Sequence, residues 1–207
     1  MNLPPLYLIT DAERVGDDRM IDVVVAASRA GLGMLQVREK TKSASELRDF
    51  VGRIRDHTEG ALLWILNHPD DLVDDLDMDG LHLGGGKVER IGEIRKSVGE
   101  GRILGYSAHE VDEIRRAFEL GASYVSYSPV LPTHSKLSYG PPLGLDAFAT
   151  ACGHGFGPIY ALGGVGASSA VALRERGAAG LAVIGAIADA DDPERATREI
   201  LSAWDGG

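Results

Sequence analysis

Short apolar runs rich in β-branched and aromatic residues alternate along the chain with stretches of helical periodicity, and this alternation constrains the fold more than any other feature. The runs are, in order, LYLIT (6–10), MLQVRE (34–39), ALLWILN (61–67), GLHLG (80–84), RILGYS (102–107), YVSYSPV (124–130), IYALGG (159–164) and LAVIG (181–185). Apolar strands separated by crossover helices are typical of parallel sheets. Eight such units predict a closed (β/α)8 TIM barrel, with an open doubly wound sheet as the alternative.

Two of the helical stretches carry clear start signals. Ser43 and Glu46 stand at the spacing of a capping box. Asp192 precedes Pro193, a pair that is typical of an N-cap followed by the first helical residue. No linker or change of composition interrupts the alternation, so residues 1–207 are predicted to form a single barrel domain.

Composition and charge narrow the class of partner. The 207 residues are 44% hydrophobic, and 31 acidic against 21 basic residues give a net charge of −10. This balance argues against nucleic acid and against an anionic membrane surface as partners. Cys152 is the only cysteine, which excludes a disulfide framework. The sequence has no apolar run of membrane-spanning length and no signal-peptide pattern, so we expect a cytoplasmic protein and leave a homodimer open.

Polar residues cluster where the predicted strands end, which is where barrels of this kind place their function. Strand alternation puts Gln36, Arg38 and Lys40 on one side of the second strand, and that side can be the barrel interior. Cations that face inward are costly unless a ligand meets them, so we interpret all three as ligand-binding residues. The alternative is a solvated strand end with Glu39 as the ion partner.

The third, fourth and fifth predicted strands also end in polar or glycine residues. Asn67 follows the third strand and could simply cap a short helix over 69–76. The fourth strand ends in His82 and a run of three glycines, which is a weak signal for close approach to a ligand. Ser107 stands three residues before Glu110, so the pattern predicts a capping box for the next helix.

The longest loop follows the sixth predicted strand, within YSPVLPTHSKLSYGPPLG (127–144). It places Thr133, Ser135 and Lys136 together on a segment stiffened by proline and glycine. Hydroxyls, backbone N–H groups and an ammonium all donate hydrogen bonds, and none of them repels a negative charge. The loop is therefore predicted to bind an anion.

Glycine-bearing loops follow the seventh and eighth predicted strands, at Gly163–Gly164 and Ile184–Gly185. Loops in these positions form the phosphate site that is common in this fold. Together with Thr133 and Ser135 they predict a monophosphate pocket. The remaining cations, Arg38, Lys40 and Lys136, predict a second and more highly charged anion nearby.

The motifs together resemble thiamin phosphate synthase and its thiazole tautomerase-like relatives. They are LYLITD, QVREK, GLHLG, GYSAH, PVLPTHSK, PLGL, YALGGV and GLAVIGAI, in the family's order from residue 6 to about residue 187. The resemblance implies a compact (β/α)8 barrel. It also implies an enzyme that joins hydroxymethylpyrimidine diphosphate to a carboxythiazole or hydroxyethylthiazole phosphate and releases pyrophosphate, with magnesium present.

The resemblance also assigns site residues by position. The pyrimidine diphosphate is expected at Gln36, Arg38, Lys40, Asn67, Ser107 and Lys136. The thiazole phosphate is expected at Thr133, His134, Ser135, Gly164, Ile184 and Gly185. Of these, we expect Lys136, Arg38 and Lys40 to be catalytic, since cations on the departing pyrophosphate stabilise the ionising carbon–oxygen bond.

Two departures from the family pattern concern the metal. Magnesium is the cofactor that the resemblance implies, but His68 and Lys87 stand where the synthase has its carboxylate ligands. A hard cation prefers oxygen ligands, which neither residue supplies. Asp70 and Asp71 are close in sequence and would need the loop to shift.

Two other functions stay open. A metal-free isomerase resembling thiazole tautomerase would need a proton donor and acceptor, and the tautomerase histidine position is Pro129 here. His134 or His82 would have to replace it in a different geometry. A non-catalytic binder of thiamin-pathway phosphates is the third hypothesis. We favour the synthase because the loop keeps both hydroxyls, Thr133 and Ser135, and its lysine, Lys136.

Overall fold

The predicted strands form a closed parallel sheet. The computed structural model describes residues 3–58, 60, 62–67, 72–133 and 141–206. Within them the strands are β1 (Leu6–Ile9), β2 (Met34–Val37), β3 (Leu63–Leu66), β4 (Gly80–Leu83), β5 (Ile103–Ala108), β6 (Tyr124–Tyr127), β7 (Ile159–Leu162) and β8 (Gly180–Val183). Each strand pairs in parallel with the next, and β8 pairs with β1, which closes the barrel. The predicted barrel is confirmed, and the open-sheet alternative is wrong.

Helices connect most of these strands. Over the same described ranges they are α1 (Ala12–Val15), α2 (Asp17–Arg29), α3 (Ala44–Arg55), α4 (Arg90–Val98), α5 (Val111–Glu119), α6 (Gly144–Gly153), α7 (Ala167–Glu175), α8 (Gly185–Ala188) and α9 (Pro193–Asp205). In the predicted helix over 69–76, the described part has a 3-10 conformation at Leu72 and turns over 73–76. No helix in these ranges has the length and apolar character that crossing a bilayer requires.

The two predicted helix starts are confirmed. The Ser43 side chain accepts a hydrogen bond from the Glu46 backbone N–H, and the Glu46 carboxylate accepts one from the Ser43 N–H at 2.8 Å. Asp192 accepts from the Arg195 N–H at 2.9 Å, with Pro193 as the first residue of α9. Both caps satisfy N–H groups that have no partner within the helix.

The core of the described residues has two layers, one inside the barrel and one between the strands and the helices. Tyr7, Tyr124 and Tyr160 fill the barrel interior and pack edge to face, with ring centroids 5.2 to 5.8 Å apart. Gly105 makes this possible, because a Cβ there would lie 2.3 Å from Tyr124 Cζ. The outer layer consists of aliphatic side chains between the strands and the helices. The Tyr160 hydroxyl donates to the Pro4 carbonyl before β1, so these rings fill the barrel toward its amino-terminal end.

Candidate functional site

A cleft of about 300 Å³ opens where β7 and β8 end. Predicted thiazole-phosphate residues line it, namely Thr133, Gly164, Ile184 and Gly185. These four residues come from three different loops, and the barrel brings the three loops together. His134 and Ser135, assigned to the same ligand, lie outside the described residues. The described part of the predicted monophosphate pocket therefore lies in a single cleft.

Gly164 lies at a close backbone contact between two of these loops. Its φ is +67°, and a Cβ at this position would lie 2.4 Å from the Pro132 carbonyl oxygen and 2.9 Å from the Leu131 carbonyl carbon. The Leu131 N–H donates to the Gly163 carbonyl oxygen at 3.0 Å. The loop after β6 thus lies directly on the loop after β7, and this contact places Thr133 at the cleft. Glycine is required here because both the left-handed backbone and the close approach exclude a side chain.

The wall of the cleft at Gly185 carries an ion pair. Arg14 Nε donates to Asp189 Oδ1 at 2.5 Å, and Arg14 Nη2 donates to Asp189 Oδ2. Arg14 lies in α1 and Asp189 directly follows α8, so the pair links the two short helices that follow β1 and β8. This bidentate arrangement fixes the plane of the guanidinium beside the cleft.

Gln36 and Asn67 meet inside the barrel. Gln36 is buried, and its Oε1 accepts a hydrogen bond from Asn67 Nδ2 at 3.0 Å. Among the described residues, neither Gln36 Nε2 nor the Tyr7 hydroxyl has a hydrogen-bond partner. A buried donor without a partner is costly, so Gln36 Nε2 is suited to receive a polar atom of a ligand, whereas the Tyr7 hydroxyl lies within the packed tyrosine layer. Burial also raises the pKa of Tyr7 far above its usual range, which keeps its hydroxyl neutral.

Ser107 belongs to the barrel interior and not to a helix cap. It lies within β5, and its Oγ is 2.9 Å from His82 Nε2 and 3.3 Å from Ser126 Oγ. The start of α5 instead uses the Glu113 carboxylate, which accepts from the backbone N–H of Glu110 at 3.3 Å. The predicted Ser107 capping box is wrong because β5 runs to residue 108, and strand alternation turns Ser107 inward.

His82 lies between Tyr124 and Ser107 inside the barrel, and together with Gln36 and Asn67 these polar side chains form the interior polar set. His82 is buried, with Nδ1 3.0 Å from the Tyr124 hydroxyl and Nε2 next to Ser107. The ring therefore links the packed tyrosine layer to the polar layer at the carboxyl ends of the strands. The tautomer that His82 adopts decides whether the Ser107 hydroxyl donates to the ring or accepts from it.

The cations after β2 do not share one environment. Arg38 is half-buried and Lys40 is exposed, whereas Gln36 is buried in the interior. Glu39 is buried as well, and its carboxylate accepts from the Ala12 N–H at 3.1 Å. Among the described residues neither cation forms an ion pair with Glu39, so that part of the alternative has no support, whereas the exposure of Lys40 agrees with a solvated strand end. The chain leaves the strand after Val37, so simple alternation describes Arg38 and Lys40 less well than Gln36.

Comparison with known proteins agrees with this arrangement. The family model for thiamine monophosphate synthase matches residues 6–187. The chain belongs to the thiamine monophosphate synthase family. Thiamine-phosphate synthase from Chlorobium luteolum is 36% identical over 200 residues, which cover 96% of this chain and 92% of the relative. The enzyme of the same name from Roseiflexus sp. RS-1 is 35% identical over 196 residues, with 94% and 83% coverage.

A solved structure from the same family has the same fold. Thiamine phosphate pyrophosphorylase from Pyrococcus furiosus superposes with a TM-score of 0.79 at 25% identity and covers 99% of this chain and 96% of that one. The predicted resemblance to the family is thus confirmed.

One of the two departures at the expected magnesium site lies among the described residues. Lys87, which the resemblance places at the position of a metal ligand, is exposed. Across 3–58, 60, 62–67, 72–133 and 141–206, no three His, Cys, Asp or Glu side chains come close enough together to hold a metal ion. His68, Asp70 and Asp71 lie outside these ranges, as does Lys136. The described residues thus form no cluster of three such ligands, and a weakened metal dependence stays a prediction.

Sequence reasoning missed Arg14 and Asp189. The signal for Arg14 was present, because it follows the first strand and the carboxyl ends of all eight strands form the site in this family's barrel. Asp189 carries no comparable signal. Its relevance depends on its contact with Arg14, 175 residues away in the chain.

Proposed function

We propose that this protein is a thiamine-phosphate synthase, which joins hydroxymethylpyrimidine diphosphate to a thiazole phosphate and releases pyrophosphate. The observation that carries the proposal is the pair of recognition regions at one end of the barrel. One is the cleft between the loops after β6, β7 and β8, and the other is the buried polar set inside the barrel. A synthase with two substrates needs two adjacent regions.

The cleft suits the thiazole phosphate. Its wall is built from glycine-bearing loops at Gly164 and Gly185, where no side chain stands between the backbone N–H groups and a ligand. Thr133 adds a hydroxyl at the same wall. Loops in these positions bind phosphate in many barrels of this architecture. The thiazole ring can then extend from the cleft toward the barrel axis.

The interior set suits the pyrimidine. A pyrimidine presents ring nitrogens and an amine at its edge, and these can pair with amide and hydroxyl groups. Gln36, Asn67 and Ser107 supply such groups, all turned into the barrel. A ligand acceptor at Gln36 Nε2 would remove the cost of a buried donor that has no partner among the described residues.

The cations at the mouth suit the diphosphate. When the bond between the pyrimidine methylene carbon and the diphosphate oxygen breaks, negative charge develops on the departing group. Arg38 and Lys40 follow β2 directly, beside Gln36 and its partner Asn67. Together with Lys136 they would stabilise that charge and hold the pyrophosphate away from the thiazole phosphate. No described residue of this site has to give up a proton for this step.

The isomerase alternative has less support. The family position of the tautomerase histidine is Pro129, and Pro129 Cα would lie 2.9 Å from a Cβ at Gly163, so this residue serves loop packing. His82 is committed to Tyr124 and Ser107 inside the barrel. The curated relatives described above are both named thiamine-phosphate synthase, which supports the synthase.

Turnover of the purified protein tests the proposal. The protein is mixed with both substrates, with and without magnesium, and pyrophosphate and thiamin phosphate are measured. We expect both products, and we expect Arg38→Gln to lower turnover strongly. Arg53→Gln is the matched control, because Arg53 pairs with Asp18 on the helical surface and does not line the cleft. No product at any magnesium concentration from a protein that still binds thiazole phosphate would refute the synthase and favour the binder.

A further inference from the structure

The cleft at the ends of β7 and β8 has little charge of its own. Among the described residues that line it, Arg14 and Asp189 are the charged ones, and their charges cancel. The protein as a whole carries a net charge of −10, which repels an anion. A cation beside the cleft would therefore strengthen the binding of a phosphate monoester, which carries close to two negative charges. Arg14 is the cation that the described wall of the cleft offers.

The Arg14–Asp189 pair fixes the orientation of a guanidinium beside the cleft. Two hydrogen bonds hold the guanidinium in one plane. Both side chains are partly exposed, at 35% and 42%, and ion pairs with this exposure contribute little to folding stability. Stability alone thus gives no strong reason to hold the guanidinium in this orientation beside the cleft.

Gly185 packs against the Arg14–Asp189 ion pair. A Cβ at Gly185 would lie 2.5 Å from Asp189 Oδ2 and 3.3 Å from Arg14 Nη2. The ion pair thus occupies the space that any side chain at position 185 would fill. As a result the guanidinium lies directly against a backbone segment that the family resemblance assigns to the phosphate. The three residues form one unit in the wall of the cleft.

We propose that Arg14 is a phosphate-binding residue of this cleft and that Asp189 orients its guanidinium toward the phosphate of the second substrate. This inference rests on the proposed function and deepens it, since it names the cation that the monophosphate meets. Arginine suits the role because its planar fork can bind a carboxylate along one edge and a phosphate oxygen along another. Lysine at position 14 would lose this double engagement.

A binding experiment with single and double variants of Arg14 and Asp189 tests the proposal. Affinity for thiazole monophosphate and for inorganic phosphate is measured by calorimetry for wild type, Arg14→Gln, Asp189→Asn and the double variant. Arg53→Gln again serves as the control, since it breaks another exposed Arg–Asp pair that does not line this cleft. We expect Arg14→Gln to weaken both ligands by about tenfold or more, the size of a lost charge-assisted hydrogen bond. The loss should persist when Asp189 is also replaced.

The double variant distinguishes two roles of Arg14, namely direct contact with the phosphate and simple neutralisation of the Asp189 charge. If Arg14 only cancels the charge of Asp189, then Asp189→Asn combined with Arg14→Gln restores wild-type affinity, and the proposal is overturned. Unchanged affinity of Arg14→Gln alone overturns it as well. Thermal melting of each variant checks folding, and the double variant removes both charges of the pair. Failure of turnover with both substrates would refute the synthase, whereas Arg14-dependent phosphate binding would remain as evidence for this inference.

Discussion

Replacement of Gly164 by alanine should destabilise the protein in two ways, through the strained backbone at positive φ and through collision with the loop after β6. The φ of +67° alone disfavours a side chain by about 1 kcal/mol. The added Cβ would also lie 2.4 Å from the Pro132 carbonyl oxygen and 2.9 Å from two Leu131 backbone atoms. Because these are backbone atoms, the loop itself has to move, and overpacking of this kind costs about 1–3 kcal/mol more. We therefore expect Gly164→Ala to lower the free energy of unfolding by about 2–4 kcal/mol.

Gly155→Ala provides the matched control. Gly155 has a φ of +68°, but an added Cβ there would meet nothing within 4 Å. It should cost only the backbone part, about 1 kcal/mol, with no effect on ligands. Urea denaturation gives the unfolding free energy of both variants, and calorimetry with thiazole phosphate gives affinity. Gly164→Ala should also weaken this ligand, because the displaced loop carries Thr133 away from the cleft.

Equal destabilisation by the two alanines would contradict the packing argument. It would mean that the loop after β6 adapts to the new side chain without cost. Unchanged affinity for thiazole phosphate in a folded Gly164→Ala protein would contradict the assignment of Gly164 to the phosphate cleft. A larger replacement such as valine adds to the same collision, so loss of folding there would carry less information than the alanine result.

Three further predictions concern the cations, the metal and pH. Lys136→Ala should weaken pyrimidine diphosphate binding by about tenfold and thiazole phosphate binding much less, as measured by calorimetry; equal losses would indicate one shared anion site. Synthase activity should depend less steeply on magnesium than in relatives, and His68→Asp with Lys87→Asp should raise both the rate and that dependence in a magnesium titration; full, sharply magnesium-dependent wild-type turnover would refute this. Burial raises the pKa of Glu39, so the folded state keeps this proton to higher pH than the unfolded state does. Its contribution to stability should therefore fall as pH rises from the ordinary carboxyl pKa through the raised one, and Glu39→Gln should flatten that part of a denaturation-against-pH curve; an unchanged slope would assign the fall to other groups.

The alternation of strand and helix patterns predicted the barrel, and closure of the sheet was the point at which the open-sheet alternative had to be excluded by the structure. A strand is identified by its own apolar run, and a helix by its own periodicity and capping residues. Both signals lie in neighbouring residues, so the sequence alone locates these elements. The capping box at Ser43 and the proline start at Pro193 are decided by residues a few positions apart, and both were confirmed. The glycine-bearing loops at Gly164 and Gly185 could also be located from the sequence, because they follow the seventh and eighth predicted strands.

Side-chain environments were decided by the closed barrel. Ser107 fits a helix cap on spacing alone, yet β5 extends past it and strand register places it against His82 and Ser126. Only the packing of one loop on another shows that Gly164 faces the Pro132 carbonyl. Arg14 and Asp189 meet across 175 residues because β8 closes on β1. Sequence periodicity records which face a residue occupies, whereas contacts between distant strands depend on closure and register, which no local pattern contains.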